Sequence, residues 1–258
     1  MKHAKAETPT SLVGVERTVR ILQAIGETDG TNLADLARAA KLSEATVLRY
    51  LNSLVSLGFV MRPTPNRYSL GWEVYRLGQR VTSGFIPRET VRPVLESLLA
   101  EFNETVNFAY RRGDEVVIAE VLEGHRAVKK LNDVGQIDPW HASALGKALM
   151  ATMPDDEWRR LLDRAGMPKL TEHTLTTPTK MAAELERTRA RGFAVDAEEC
   201  DEDLTCAAAV VPTATDTARF AVSVSFLSHR LPSMGLEAAG VRVAEAAAEI
   251  GRGLERGA

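Results

Sequence analysis

The chain has 258 residues, 45% of them apolar and 26% charged, with a net charge of −3. That balance belongs to an ordinary globular protein and excludes a largely disordered or collagen-like chain. No apolar run nears the ~20 residues of a bilayer span, which excludes a transmembrane helix, and the charge divides unevenly, +4 over residues 1–80 and −7 over the rest, as when one part of a molecule meets a polyanion.

The polar start from Met1 to Lys5 has no hydrophobic core of the signal-peptide kind, so a cytoplasmic location and no membrane partner are expected. Cys200 and Cys206 are the two cysteines, and so small a number fits a reducing compartment. With no CxxC pair and scattered histidines, no metal site is expected. No P-loop, GxGxxG or zinc-deaminase pattern occurs, and no cofactor is expected.

Residues 1–10 are polar and expected to fray. Over 12–25 the spacing of Val15, Val19, Leu22 and Ile25 predicts a helix with one buried stripe, ended by 26–30. Thr31 stands where the N-cap of a short second helix belongs, ahead of Leu33, Leu36, Ala37 and Ala40. A third helix opens on the cap Ser43, with Leu42 stapled to Val47. At 100° per residue, Val47, Leu48, Leu51, Leu54 and Val55 gather on one side. Ala45, Thr46, Arg49, Ser53 and Ser56 gather on the other, a small and hydroxylated face bearing one long cation, shaped to lie against something.

Gly58 stops that helix. Residues 59–62 read as a strand, 63–66 as a turn and 67–70 as the return strand. Helix, short helix, three-residue turn, helix and hairpin make a winged helix-turn-helix. Used on DNA, it would offer Ser43, Glu44, Ala45, Thr46 and Arg49 to the major groove, with Arg49 able to pair bidentately with guanine. Tyr50 would reach a phosphate, and Arg62, Asn66 and Arg67 in the wing would reach a phosphate or the minor groove. The competing use, protein contact or dimerisation, has less in its favour, because the same segment carries the basic bias.

Another helical pattern, with Trp72, Val74, Leu77 and Val81 apolar, breaks at Ser83-Gly84 and Pro87. A helix with Val91, Val94, Leu95, Leu98 and Leu99 follows. Strands are expected at 105–111 and 115–122 around the turn at Gly113, and a third at 127–131. Helices are expected at 142–152, 155–165 and 179–191, strands at 193–199, 205–211 and 220–226, and a last helix over 236–254. This order implies an α+β domain, an antiparallel sheet covered by helices. The expected division is therefore a DNA-binding domain over 11–71, a linker or dimerisation helix over 72–86, and a second domain over 87–258.

Several segments together resemble the IclR family of bacterial transcriptional regulators. They are residues 42–51, 58–60 and 67–71 in the first domain, and 141–148 (from His141), 191–199, 204–210 and 223–225 in the second. The resemblance implies an N-terminal winged helix, a dimerising linker helix and a GAF-like effector-binding domain, acting as dimers or tetramers on operators of catabolic genes, more often as repressors. Where the family often opens its recognition helix with a cation, this chain has Ser43, Glu44, Ala45 and Thr46. The resemblance also implies an effector pocket at Asp196, Cys206, Ser223 and Ser225, with Leu204 as apolar wall. The backbone of Ala144 and Leu145 would favour an anion at a helix start, and a small organic acid, an aromatic one included, is the ligand class implied. Trp140 either stacks on an aromatic effector or fills core; Asp138 reads as a solvated loop carboxylate, ahead of a place in the cavity, where it would repel a carboxylate but accept from a phenol, amide or amine.

Two rival functions remain open at this point. An enzyme would use Cys206, His141 and Asp196 as nucleophile, base and orienter, but no nucleophile elbow surrounds Cys206, which sits inside a strand pattern. A DNA-binding protein without an effector would keep the large domain for oligomerisation alone.

Overall fold

The computed structural model describes residues 12–27, 30–85, 88–213, 219–233 and 235–256; the expectations for residues 1–10 and for Pro87 fall outside them. Two compact units divide the chain, Met1–Phe85 and Ile86–Ala258.

The first unit runs α1 (Val13–Gly26), α2 (Leu33–Ala40), α3 (Glu44–Ser56), β1 (Val60–Thr64), β2 (Arg67–Leu70) and α4 (Trp72–Phe85). Ile21, Ile25, Leu36, Val47, Leu51, Val60 and Tyr68 form its core, each such burial worth roughly 1.5–3 kcal/mol. Lys41 takes the left-handed conformation that ends α2, and Ser43 Oγ accepts the Thr46 N–H at 3.3 Å to start α3.

Five local expectations change. Val15 and Val19 are exposed, because only the later turns of α1, at Ile21 and Ile25, reach the cluster. Leu48 and Val55 are likewise exposed, leaving Val47, Leu51 and Leu54 as the narrower buried stripe of α3. Thr31 is not the cap of α2. Both its backbone groups pair with Tyr68, extending the hairpin by a one-residue bridge, and Asn32 caps instead, accepting the Asp35 N–H at 2.9 Å. The hairpin turn is also tighter than expected: Thr64 pairs with Arg67, and the register slips between Met61 and Thr64, where Pro63 has no N–H to give the ladder. Finally, α4 continues through Ser83 and Gly84, residues that weaken a helix without forbidding it; the Val81 side chain lies outside the described residues.

The second unit contains α5 (Arg88–Phe102), β3 (Thr105–Arg112), β4 (Glu115–Leu122), β5 (Ile137–Asp138), α6 (Ala144–Ala151), α7 (Asp155–Ala165), α8 (Pro178–Arg191), β6 (Ala194–Ala197), β7 (Leu204–Val210), β8 (Phe220–Leu227), a 3-10 turn (Ser228–Ser233) and α9 (Leu236–Arg256). One antiparallel sheet takes the order β5-β4-β3-β8-β7-β6. Side chains alternate across it as strand geometry requires. Phe108, Val195, Ala207, Ala209, Val222 and Val224 pack under α5 and α9. Ala109, Ala194, Ala208 and Ala221 face α6 on the other side.

Those four alanines let α6 lie close, and all eight of its residues are buried. A β-carbon at Gly146 would stand 2.5 Å from the Trp140 carbonyl oxygen, so the approach of the 139–143 turn to α6 also depends on glycine. Ser143 caps α6 by accepting the Gly146 N–H at 3.0 Å, which starts the helix two residues later than expected.

The strand expected over 127–131 does not form; β4 pairs on that edge with Ile137 and Asp138. Side chains hold the intervening segment instead. Thr105 Oγ1 donates to the Lys130 carbonyl at 2.6 Å and Lys129 Nζ to the Gly124 carbonyl at 3.0 Å, leaving Val128, Leu131 and Val134 exposed. Among the described residues no helix is long and apolar enough to cross a membrane.

Candidate functional site

In the first unit, α3 presents Ser43, Glu44, Ala45 and Arg49 to solvent, with Thr46 half-buried beside them. The Ser43 and Thr46 hydroxyl oxygens lie 2.8 Å apart and engage each other. The Arg49 guanidinium has no hydrogen bond or ion pair among the described residues, so its five donors are available to a planar acceptor. A groove of about 820 Å³ separates the first turns of α2 and α3 from the wing, with Glu44 and Leu48 on one wall and Arg62, Asn66, Arg67 and Tyr68 on the other. Arg62 is not free there: its Nε donates to the Pro65 carbonyl at 2.8 Å, and its guanidinium sits 5.5 Å from the Tyr68 ring centroid. Tyr50 packs against the core and does not line this groove.

In the second unit a cavity of about 210 Å³ opens where α6 begins over the sheet. The row Asp196, Cys206, Ser225 runs across β6, β7 and β8, and Ser223 lies two residues along β8 opposite Asn107 of β3. Asn107 Nδ2 reaches Ser223 Oγ at 3.2 Å and Ser225 Oγ at 3.3 Å, its Oδ1 accepts from Asn132 at 2.9 Å, and the Cys206 thiol donates to Ser225 Oγ at 3.3 Å. The Ala144 and Leu145 N–H groups in the first turn of α6 meet no acceptor among the described residues, as expected of a helix start, and both residues line the cavity along with Leu204.

Charge is concentrated around this end of α6. Lys147 is fully buried and donates to Glu199 Oε1 at 2.5 Å, tying the helix to the turn between β6 and β7. Asp196 Oδ1 accepts the Glu199 N–H at 2.7 Å and the Cys200 N–H at 3.3 Å from that turn. Burial lifts the Asp196 carboxyl to about 7, against the pull of Lys147, and burial also raises Glu199 and Asp138. The Cys206 thiol is pushed well above its usual range by burial and by Asp196, so it is no nucleophile. His141, whose Nε2 lies 2.8 Å from the Pro168 carbonyl oxygen, is not among the cavity-lining residues; the imagined triad is not assembled.

Residues 14–63 match the family model of the IclR helix-turn-helix domain, and residues 80–252 that of the bacterial transcriptional regulator IclR C-terminal domain. The chain belongs to the IclR family. It is 30% identical over 253 residues to the HTH-type transcriptional regulator BhcR of Paracoccus denitrificans, covering 96% of this chain and 90% of that one. It is 28% identical over 255 residues to the transcriptional repressor IclR of Escherichia coli, covering 96% and 93%. The crystal structure of Thermotoga maritima IclR superposes with a TM-score of 0.79 at 25% identity, covering 93% of this chain and 98% of that one. These relatives are transcription regulators, not enzymes.

As in any such regulator, the helix-turn-helix and the second domain are separate places of action, and the sequence locates them unequally. Ala144, Leu145, Asp196, Leu204, Cys206, Ser223 and Ser225 all line the cavity at the start of α6. Trp140 does not: it is buried in the core under α6, and its indole N–H donates to the Asp114 carbonyl at 2.7 Å. Asp138, expected in solvent, lines the cavity from β5 and accepts from Gln136 Nε2 at 3.1 Å. Asn107, Lys130, Asn132, Gln136, Ser143, Cys200 and Asp201 also contribute to the lining and were not anticipated. Asn107 carried one signal, a polar residue inside an apolar strand run; the loop residues carried none.

Proposed function

We propose that this IclR-family protein is an effector-responsive, sequence-specific repressor of a catabolic operon, working in the cytoplasm as a dimer or a pair of dimers. Residues 11–71 hold the operator, 72–86 link and pair the subunits, and 87–258 sense a small organic acid. The polar cavity at the start of α6 carries the reading: hydroxyl, amide and carboxylate groups from several strands converge there on a space fit for a small molecule. Its size and polarity favour a compact, hydrogen-bonding acid over a bare aromatic one, and Trp140, the side chain suited to stacking, is committed elsewhere. Exposed Trp72, Tyr75 and Leu77 on α4, and Val15 and Val19 on α1, support pairing through the first unit. The E. coli relative's designation as a repressor supports the sign.

The effector must favour one arrangement of paired DNA-binding units over another, since equal affinity for both would switch nothing. The reading is tested by fluorescence anisotropy on DNA from the region upstream of the gene against a scrambled duplex, over a salt series. Preference for the upstream duplex that persists at physiological salt, and that an organic acid relieves, is the expected result. Equal, salt-sensitive binding to both duplexes counts against a nearby operator.

In that assay Arg49→Ala should weaken specific binding by about 1–3 kcal/mol with little change on the scrambled duplex. Unchanged affinity would remove Arg49 from the base-reading set. Ser223→Ala combined with Ser225→Ala strips the Asn107 amide of both its hydroxyl acceptors. Calorimetry should show effector affinity lost while operator affinity without effector stays at the wild-type value. Loss of both would mean that the sheet, and not the ligand site, had been damaged.

A further inference from the structure

The outward side of α3 differs from the small, hydroxylated face that its residue pattern suggests. Three hydroxyls lie on or beside it, and each is committed locally. Thr46 engages the cap Ser43 at 2.8 Å. Ser53 donates to the Arg49 carbonyl at 3.3 Å and Ser56 to the Ser53 carbonyl at 2.8 Å. What remains open to a partner is a row of four exposed residues, Ala45, Leu48, Arg49 and Asn52. They fall within an arc of about 100°, turned away from the buried stripe of Val47, Leu51 and Leu54. Standing three and four residues apart, they are surface neighbours. The Arg49 guanidinium and the Asn52 amide have no hydrogen bond or ion pair among the described residues.

Leu48 is the odd member of that row. It is 37% exposed and stands outside the core cluster of the first unit. A lone exposed leucine is ordinary on most surfaces, but this one sits between Ala45, Arg49 and Asn52 and lines the groove shared with the wing. In the major groove the base edges offer one apolar substituent, the C5-methyl of thymine. The other groups there are donors and acceptors, which a leucine would strip of water without giving a bond in return.

We infer that Leu48 is a specificity-determining residue that packs on the C5-methyl group of an operator thymine, next to the base that Arg49 contacts. The inference rests on α3 being the operator-contacting helix, and it names a base feature that this helix selects. The helical spacing alone assigns Leu48 to the buried side; its exposure moves it to the contacting row. Its surroundings favour DNA over a protein as the occupant. It is flanked by an unpaired cation and an open amide, in a segment whose charge over residues 1–80 is +4. The exposed apolar side chains suited to a subunit contact, Val15 and Val19 on α1 and Trp72 and Tyr75 on α4, stand on other helices. Leu48 therefore favours thymine by contact and disfavours the other bases by desolvation, and cytosine, a pyrimidine without the methyl, is the sharpest rejection.

Duplexes that bind the full-length protein are selected from a random library. The tightest is remade with each thymine in turn replaced by uracil, which removes the methyl and keeps the pairing. Read by anisotropy at physiological salt, at least one thymine should lose about threefold or more in affinity on that replacement, the scale of one apolar methyl contact. Leu48→Ala should bind the thymine and uracil duplexes alike, and a library selected on it should no longer prefer thymine there. Leu48→Met keeps an apolar surface and should keep the uracil penalty. Val55→Ala, a truncation at another exposed position of α3 that does not line the groove, should keep it in full. Melting temperature and sedimentation report that each variant folds and assembles. Absence of a uracil-sensitive thymine, or a penalty that Leu48→Ala retains, overturns the inference and leaves the operator-contacting role of α3 standing. Altered assembly of Leu48→Ala with its thymine preference intact overturns it in favour of a second copy of the chain as the occupant. A library without an enriched sequence counts against sequence-specific binding itself, and the inference falls with it.

Discussion

Lys147→Met should destabilise the second unit by about 3–5 kcal/mol, the usual cost of removing one partner from a buried ion pair. Lys147 has no solvent exposure, so the Glu199 carboxylate it leaves behind, 6% exposed and already with one oxygen lacking a hydrogen-bond partner, must either take up a proton or stay charged in protein. Glu199→Leu added to Lys147→Met removes that orphan charge and should recover most of the loss, because a well-packed apolar pair often matches a buried ionic one. Urea denaturation followed by fluorescence in a Trp72→Phe background reads the second unit alone, since the other tryptophans, Trp140 and Trp158, both lie in it. Equal stability of the single and double variants would mean that the Glu199 carboxylate left behind carries no penalty.

The same pair explains why a cation was placed in a helix otherwise built of small and apolar residues. Glu199 sits in the turn between β6 and β7, which also supplies Cys200 and Asp201 to the cavity. Thr171 and Thr174 hold the carbonyls of Glu198 and Glu199 at 2.6 and 2.7 Å. Lys147 thus fixes the distance between two cavity walls, the start of α6 and this turn. It is a positioning residue: rescue of stability in the double variant without rescue of effector affinity would mark that role.

Much of this arrangement is legible in residue patterns. The alternation along β3, β7 and β8 is strong because one face needs Phe108, Ala207 and Val224 for α5 and α9, while the other needs alanines for α6. Ser43 and the spacing of Val47, Leu51 and Leu54 likewise fix α3 locally. What misleads is apolar character without a partner inside the same unit. Val15, Val19, Leu48 and Val55 extend the helical stripes beyond what the small first core covers, and a stripe in sequence carries no record of where the core ends. Val128 and Leu131 imitate a strand for the same reason.

The cavity is half legible for a different reason. Asp196, Cys206, Ser223 and Ser225 stand on regular strands, where neighbours follow from pairing. Lys130, Asn132 and Gln136 come from a segment without a repeating pattern, held by individual side-chain bonds to Asp201, Asn107 and Asp138. Such contacts depend on three-dimensional closure, and no spacing rule reaches them. Trp140 and Asp138 show how little adjacency tells: two positions apart, one turns into the core and the other into the cavity.

Asp196→Asn should stabilise the ligand-free protein at pH 8 by clearly more than at pH 5, while abolishing the effector response. In the folded chain this carboxyl keeps its proton up to about pH 7, against a reference value of 3.8. Between those values the folded state binds more protons than the unfolded one, so the stability contributed by this group falls as pH rises and levels off above 7. Three units of difference correspond to a penalty on the order of 4 kcal/mol at pH 8, which asparagine removes while its side-chain oxygen still accepts the Glu199 and Cys200 N–H groups. The readout is the difference in melting temperature between variant and wild type across pH 5–8, which cancels the other titrating groups. Parallel curves would show that Asp196 ionises as freely in the fold as outside it. A rising difference together with a lost effector response would mean that this buried acid is kept against stability, at a position the effector response requires.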